Sequence, residues 1–220
     1  KLKSDNIGTL FNHTFENEIQ GYITSFEGCT NIERDMQERI RIEMERTKDE
    51  VESYEVGDWY IIRETTLLTE LSWDFDPTAS TYDLDSSITT FINCQVDTYT
   101  YFGEMNHYNR GTSLNYDDLT GEGDGPDEIL TIRLNLLPKK INSLAISINS
   151  FRSNSIKDAI KASLVLLEGQ SRRIIGEYTI TNSSDSLGLM MAYLKREEND
   201  IWKLKVMKEP LSGHIIKNSP

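Results

Sequence analysis

Between Trp59 and Met207 the chain is built from short runs in which apolar and polar residues alternate, and a period of two makes strands, not helices. Leu67, Thr69, Leu71 and Trp73 share one face of such a run. Trp202, Leu204 and Val206 oppose Lys203, Lys205 and Met207, and Ile129, Thr131 and Arg133 oppose Leu130, Ile132 and Leu134. The pattern predicts strands at Trp59–Arg63, Leu67–Trp73, Tyr82–Ile88, Ile129–Leu136, Ser143–Ile148, Ser163–Leu167, Arg173–Thr181, Leu187–Arg196 and Ile201–Met207. Ser155–Ala162 reads as one short helix, and the polar insert Glu104–Tyr116 as turns, with His107 an exposed loop residue. About nine short strands separated by turns make a mainly β chain, an antiparallel β-sandwich, and not a series of alternating β and α units.

One interruption of the strand pattern carries the chemistry. Asp117 to Glu128 reads Asp-Asp-Leu-Thr-Gly-Glu-Gly-Asp-Gly-Pro-Asp-Glu, with six carboxylates and no positive charge in twelve residues. Gly121, Gly123, Gly125 and Pro126 exclude a regular helix or strand, so the backbone folds back on itself. Such a loop turns carboxylates and carbonyls toward one point, and a hard cation takes about six to eight oxygens. Upstream, Asp83 and Asp85 lie on one side of their strand, about 7 Å apart. Residues 74–128 hold nine Asp and three Glu against Arg110 alone, a net charge of −11 out of −13 for the whole chain. The loop is no EF-hand, because Leu119 and Glu122 stand where that motif needs a ligand and a glycine. Zinc is disfavoured as well: His13, His107 and His214 are scattered, and Cys29 and Cys94 have no ligand spacing.

Asp117 to Glu128 resembles the signature loop of the TerD family of tellurite-resistance and stress-response proteins, a pattern close to G-D-N-x-T-G-E-G-D-G-D-D-E. Trp73-Asp74 with Phe75 to Ser86 resembles the family's W-D and F-D-L-D-A-S segments. Met191 to Arg196 and Asp200 to Leu204 resemble its closing hairpin, so the likeness covers roughly Gly57 to Ile216. It implies a calcium-binding β-sandwich holding one or two Ca2+ ions, with Asp76, Asp83, Asp85, Asp117, Asp118, Gly121, Glu122, Asp124, Asp127 and Glu128 as candidate metal ligands. Three positions depart from the pattern: Tyr116 stands for glycine, Asp118 for asparagine and Pro126 for aspartate. Asp118 keeps an oxygen ligand, whereas Pro126 removes a carboxylate and a backbone donor.

Ahead of this region, Ile32, Met36, Ile40, Met44 and Val51 form a narrow apolar stripe among charged residues. They predict an amphipathic helix over residues 32–54, with Asn31 as its N-cap. The expected organisation is an N-terminal α-helical extension, 1–56, and a TerD-like sandwich, 57–220, with residues 31–56 docking a protein partner or packing on the sandwich. No apolar run approaches a membrane span. The acidic balance argues against nucleic-acid binding. Two distant cysteines suggest no disulfide framework, so the expected setting is intracellular, cytoplasmic or, after removal of a targeting peptide, organellar.

Three functions follow. The resemblance implies a non-enzymatic calcium-binding module. A scaffold subunit would use the sandwich as a rigid body and the helix for docking. An enzyme built on carboxylates is weakest, because the sequence offers an oxygen shell without Ser-His-Asp or Cys-His pairing.

Overall fold

The computed structural model describes residues 54–74, 83–151, 155–156, 159–180 and 185–211. The expected helix and docking segment fall outside these residues except at their C-terminal end, and Asp76 falls outside them entirely. Tyr54, the last residue of that helix as predicted, is not helical. It is 6% exposed, donates its N–H to the Ile175 carbonyl and accepts from the Tyr178 hydroxyl, so it belongs to the core of the sandwich.

Twelve strands are described: β1 (Trp59–Ile61), β2 (Thr66–Asp74), β3 (Leu84–Ile92), β4 (Gln95–Thr100), β5 (Asn106–His107), β6 (Thr112–Leu114), β7 (Glu128–Arg133), β8 (Ser143–Ser150), β9 (Ile160–Glu168), β10 (Ile174–Thr179), β11 (Gly188–Arg196) and β12 (Trp202–Leu211). They form two six-stranded antiparallel sheets, ordered β1-β12-β11-β8-β3-β4 and β10-β9-β2-β7-β6-β5. One apolar core lies between them, and the alternation read from the sequence supplies it. Leu67, Leu71 and Trp73 of β2, Leu130 and Ile132 of β7, and Trp202, Leu204 and Val206 of β12 are all buried in it. At about 25 cal/mol per Å² of apolar surface, such side chains each contribute roughly 1.5–3 kcal/mol.

Several expectations need correction. Ser155–Ala162 is not a helix at its C-terminal end, where Ile160 to Ala162 already belong to β9. Ile156, Ala159 and Ala162 are all buried, and their spacing of three suits a turn running into a strand as well as it suits a helix. The strand expected to reach Leu136 ends at Arg133, and Leu134–Leu136 is a 3-10 turn. The insert Glu104–Tyr116 contains the β5–β6 hairpin. Within it His107 is half-buried, its Nε2 2.8 Å from the Tyr99 carbonyl. Among the described residues there is no α-helix, and no helix is long and apolar enough to cross a membrane.

At one edge the two sheets are joined by polar side chains. The Thr100 and Thr112 hydroxyls are 2.7 Å apart, linking β4 to β6. Next to them the Tyr108 hydroxyl donates to Asp97 at 2.5 Å and lies 2.8 Å from Thr90 Oγ1. This seam lies on β3, β4 and the β5–β6 hairpin, and the acidic loop follows immediately after β6.

Candidate metal centre

Two strand starts and one loop define the site. β3 begins one residue after Asp83 and carries Asp85, β7 begins with Glu128, and the loop between β6 and β7 carries the remaining acidic residues. Asp85, Asp117 and Glu128 each present a carboxylate oxygen, and these oxygens all lie within 4.8 Å of one another. Asp85 and Glu128 are 7% and 0% exposed, whereas Asp117 opens to solvent. Glu128 Oε2 accepts the Ser86 N–H at 2.7 Å and its hydroxyl at 2.6 Å, so this carboxylate reaches from one sheet to the other. Its other oxygen, Oε1, is buried and has no hydrogen-bond partner.

The electrostatics follow from that crowding. Burial pushes the Asp85 carboxyl up to about 8, and the neighbouring Asp83 and Asp117 raise it further toward that value. Burial likewise pushes Glu128 up to about 9; the two Ser86 hydrogen bonds pull it down, and Asp85 and Asp117 add to the rise. Asp117 is raised by partial burial and by Asp118. A cation among these oxygens would reverse the penalty by favouring the ionised forms. The donor set is all oxygen, which suits a hard ion, and the orphaned Glu128 Oε1 is the atom such an ion would satisfy. These three residues therefore fit a hard divalent cation.

The other acidic candidates have different employment. Asp118 Oδ1 accepts the N–H groups of Thr120 and Gly121 at 2.8 and 2.9 Å, which folds the loop's first turn. Asp127 is buried, donates its N–H to the Leu71 carbonyl and accepts the Trp73 N–H on Oδ2 at 2.8 Å, fastening the returning arm to β2. Asp83 is 2% exposed and its carbonyl accepts the Phe151 N–H. Glu122 and Asp124 are exposed and lie outside the converging group. The resemblance spans Trp73 and Ser86 without giving either a place in the site. A serine in the apolar row Leu84, Ser86, Ile88 was the available signal, because a hydroxyl on a buried face needs a partner.

Gly121 contributes through its backbone. Its φ is +67°, and a Cβ there would stand 2.5 Å from the Trp73 indole and 2.8 Å from the Trp73 carbonyl oxygen. Gly121→Ala is expected to destabilise the fold by about 2 kcal/mol or more, through left-handed strain and a clash with a side chain and backbone in the core. Urea unfolding at fixed calcium would measure it, and a loss below about 0.5 kcal/mol would contradict this packing.

A model of the TerD domain matches residues 62–217, from one residue past β1 to beyond β12. The chain belongs to the TerD domain family. Tellurium resistance protein TerZ of Serratia marcescens is 32% identical over 100 residues, 46% of this chain and 51% of TerZ. The chain thus spans about half the length of that relative. Tellurium resistance protein TerD of the same organism is 22% identical over 158 residues, 68% of this chain and 82% of the relative. Among solved structures, a Streptomyces coelicolor homologue of telluride resistance protein (TerD) superposes with a TM-score of 0.64 at 17% identity, covering 70% of this chain and 94% of that one. A protein of unknown function, SAV2460, gives a TM-score of 0.65 with the same identity and coverage. At that identity the two structures show the TerD fold alone.

Proposed function

We propose that this chain is a non-enzymatic calcium-binding TerD module in which Asp85, Asp117 and Glu128 hold one ion. The observation that carries the reading is Glu128 Oε1, buried, without a hydrogen-bond partner and beside two further carboxylates. An unsatisfied buried oxygen costs about 1–3 kcal/mol, and three ionised carboxylates at this separation repel one another. A hard cation removes both penalties, and oxygen ligands without histidine or cysteine favour calcium over zinc. The sequence admits one or two ions, and the single converging group among the described residues supports one. A bound calcium ion would supply a local positive charge bridging strands of both sheets and the loop.

The chain's own residues prepare that bridge. Ser86 aims Glu128, β3 presents Asp85, and Asp118 and Asp127 shape the two arms of the loop. The names of the Serratia relatives link this reading to tellurium resistance, which we take as the stress-response setting of the module. The exposed free thiol of Cys94 suits a reducing, cytoplasmic interior.

Metal analysis of the purified chain with titration calorimetry tests the reading. Asp85→Asn and Asp117→Asn are expected to weaken calcium binding at least tenfold, about 1.4 kcal/mol each. Asp124→Asn, outside the converging group, is expected to change it less than twofold. Equal losses at all three positions would point to a diffuse acidic surface.

A further inference from the structure

Of the three converging carboxylates, two are set by strands and one is not. Asp85 and Glu128 are buried in β3 and at the start of β7, and Glu128 is also held by Ser86. Asp117 is exposed, lies in the loop and makes no hydrogen bond to a described residue through its carboxylate. The ladder between the two loop arms ends where the Asn115 N–H meets the Ile129 carbonyl. Beyond it, Gly121, Gly123 and Gly125 adopt φ of +67°, +128° and +107°, conformations that give the loop little stiffness of its own. One further bond crosses the neck. The Tyr116 hydroxyl donates to the Pro126 carbonyl at 2.5 Å, closing the loop over a separation of ten residues. Tyr116 precedes Asp117 directly and Pro126 stands two residues before Glu128, so this bond fixes the spacing of the arms that carry two of the three carboxylates. Both of its ends are positions at which this chain departs from the family loop pattern.

We propose that the Tyr116 hydroxyl is a positioning group for the cation: it straps the loop neck to Pro126 and presets Asp117 opposite Asp85 and Glu128. The inference rests on the calcium reading. With the strap in place, binding does not have to close a glycine-rich loop, and the entropy of that closure is spent on folding instead. Only the hydroxyl makes the bond, so Tyr116→Phe removes the strap and leaves the ring in place.

The test compares the full chain with Tyr116→Phe and Tyr116→Gly. Tyr116→Phe is expected to bind calcium about two- to tenfold more weakly, the range of one net hydrogen bond, and to release it faster in stopped-flow chelation. Its melting temperature in excess chelator should stay within about 1 °C of the parent, because the bond is exposed and outside the core. Amide exchange at Asp118 to Gly121 in chelator should quicken in the variant. Tyr116→Gly should bind at least as weakly as Tyr116→Phe. Unchanged affinity and release in Tyr116→Phe, with the parent binding normally, would overturn the strap and leave the calcium reading standing. Loss only in Tyr116→Gly would assign the effect to the ring and overturn it equally. A parent chain that binds no calcium would overturn both.

Discussion

Calcium is expected to raise the melting temperature of this chain by roughly 5–10 °C over its value in excess chelator at pH 8. At a hundredfold excess over Kd, one site stabilises the native state by about 2.7 kcal/mol, and about 2–4 °C follows from each kcal/mol at this size. The shift should also depend on pH in a definite direction. Folding raises the carboxyl pKa values of Asp85 to about 8 and Glu128 to about 9, so the metal-free native state holds protons that the unfolded chain has lost. The contribution of these two carboxyls to metal-free stability is therefore greatest below the ordinary carboxylate range, falls as pH rises above it and is lost by about 8 and 9. Calcium needs the ionised forms and displaces those protons, so its effect should be larger at pH 8 than at pH 6. Calorimetry in buffers of different ionisation enthalpy would detect the released protons. A melting temperature indifferent to calcium at both pH values would sink the reading.

The second large effect concerns Glu128, where two substitutions should separate binding from folding. Glu128→Ala removes a fully buried side chain and leaves the Ser86 N–H and hydroxyl without their partner. A loss of about 3 kcal/mol or more is expected, with or without calcium. Glu128→Gln keeps an oxygen to accept from Ser86 and carries no charge. In chelator above pH 8 it should be as stable as the parent or more so, because it avoids ionising a carboxyl in a buried site. Its response to calcium should nevertheless collapse. Thermal melts of the three proteins, each with calcium and with chelator, decide the matter. A Glu128→Gln variant that still melts several degrees higher in calcium would remove Glu128 from the ligand set.

Much of the fold could be read directly from the residues. The row Leu67, Thr69, Leu71, Trp73 is buried as its alternation requires, and Trp202, Leu204 and Val206 are buried while Lys203 and Lys205 are half-exposed. Where a strand is buried on both faces, alternation says little: all eight residues of β8 are buried, serines included. β4 was not foreseen, because Gln95 to Thr100 reads as polar and lies partly exposed at a sheet edge. It is reached through the tight turn Asn93-Cys94, both at positive φ, without the glycine that usually announces such a turn. At the site, composition located the acidic loop but could not sort its carboxylates. Asp117, Asp118 and Asp127 differ in what the folded backbone offers each of them: open space beside Glu128, two loop N–H groups, and the N–H of Trp73. The partners of Asp118 lie two and three residues on and make a local turn, whereas Asp127 meets a strand 54 residues away that no local pattern encodes.

The place of β12 has a consequence for how the molecule is made. Among the described residues β1 pairs with β12 alone, and β12 joins β1 to the rest of its sheet. The Tyr178 hydroxyl reaches the Tyr54 carbonyl across a separation of 124 residues, while Glu128 and Ser86 are 42 apart. On a ribosome the β3 and β7 carboxylates can therefore meet long before the edge strand has anything to pair with. Contacts of such long range form slowly, and the exposed backbone of an unpaired strand invites wrong partners. β1 meets β12 at Lys203 to Lys205, so synthesis must pass Val206 before β1 can close, and truncation ahead of that stretch would leave a chain with its acidic residues in place and an open sheet edge beside them.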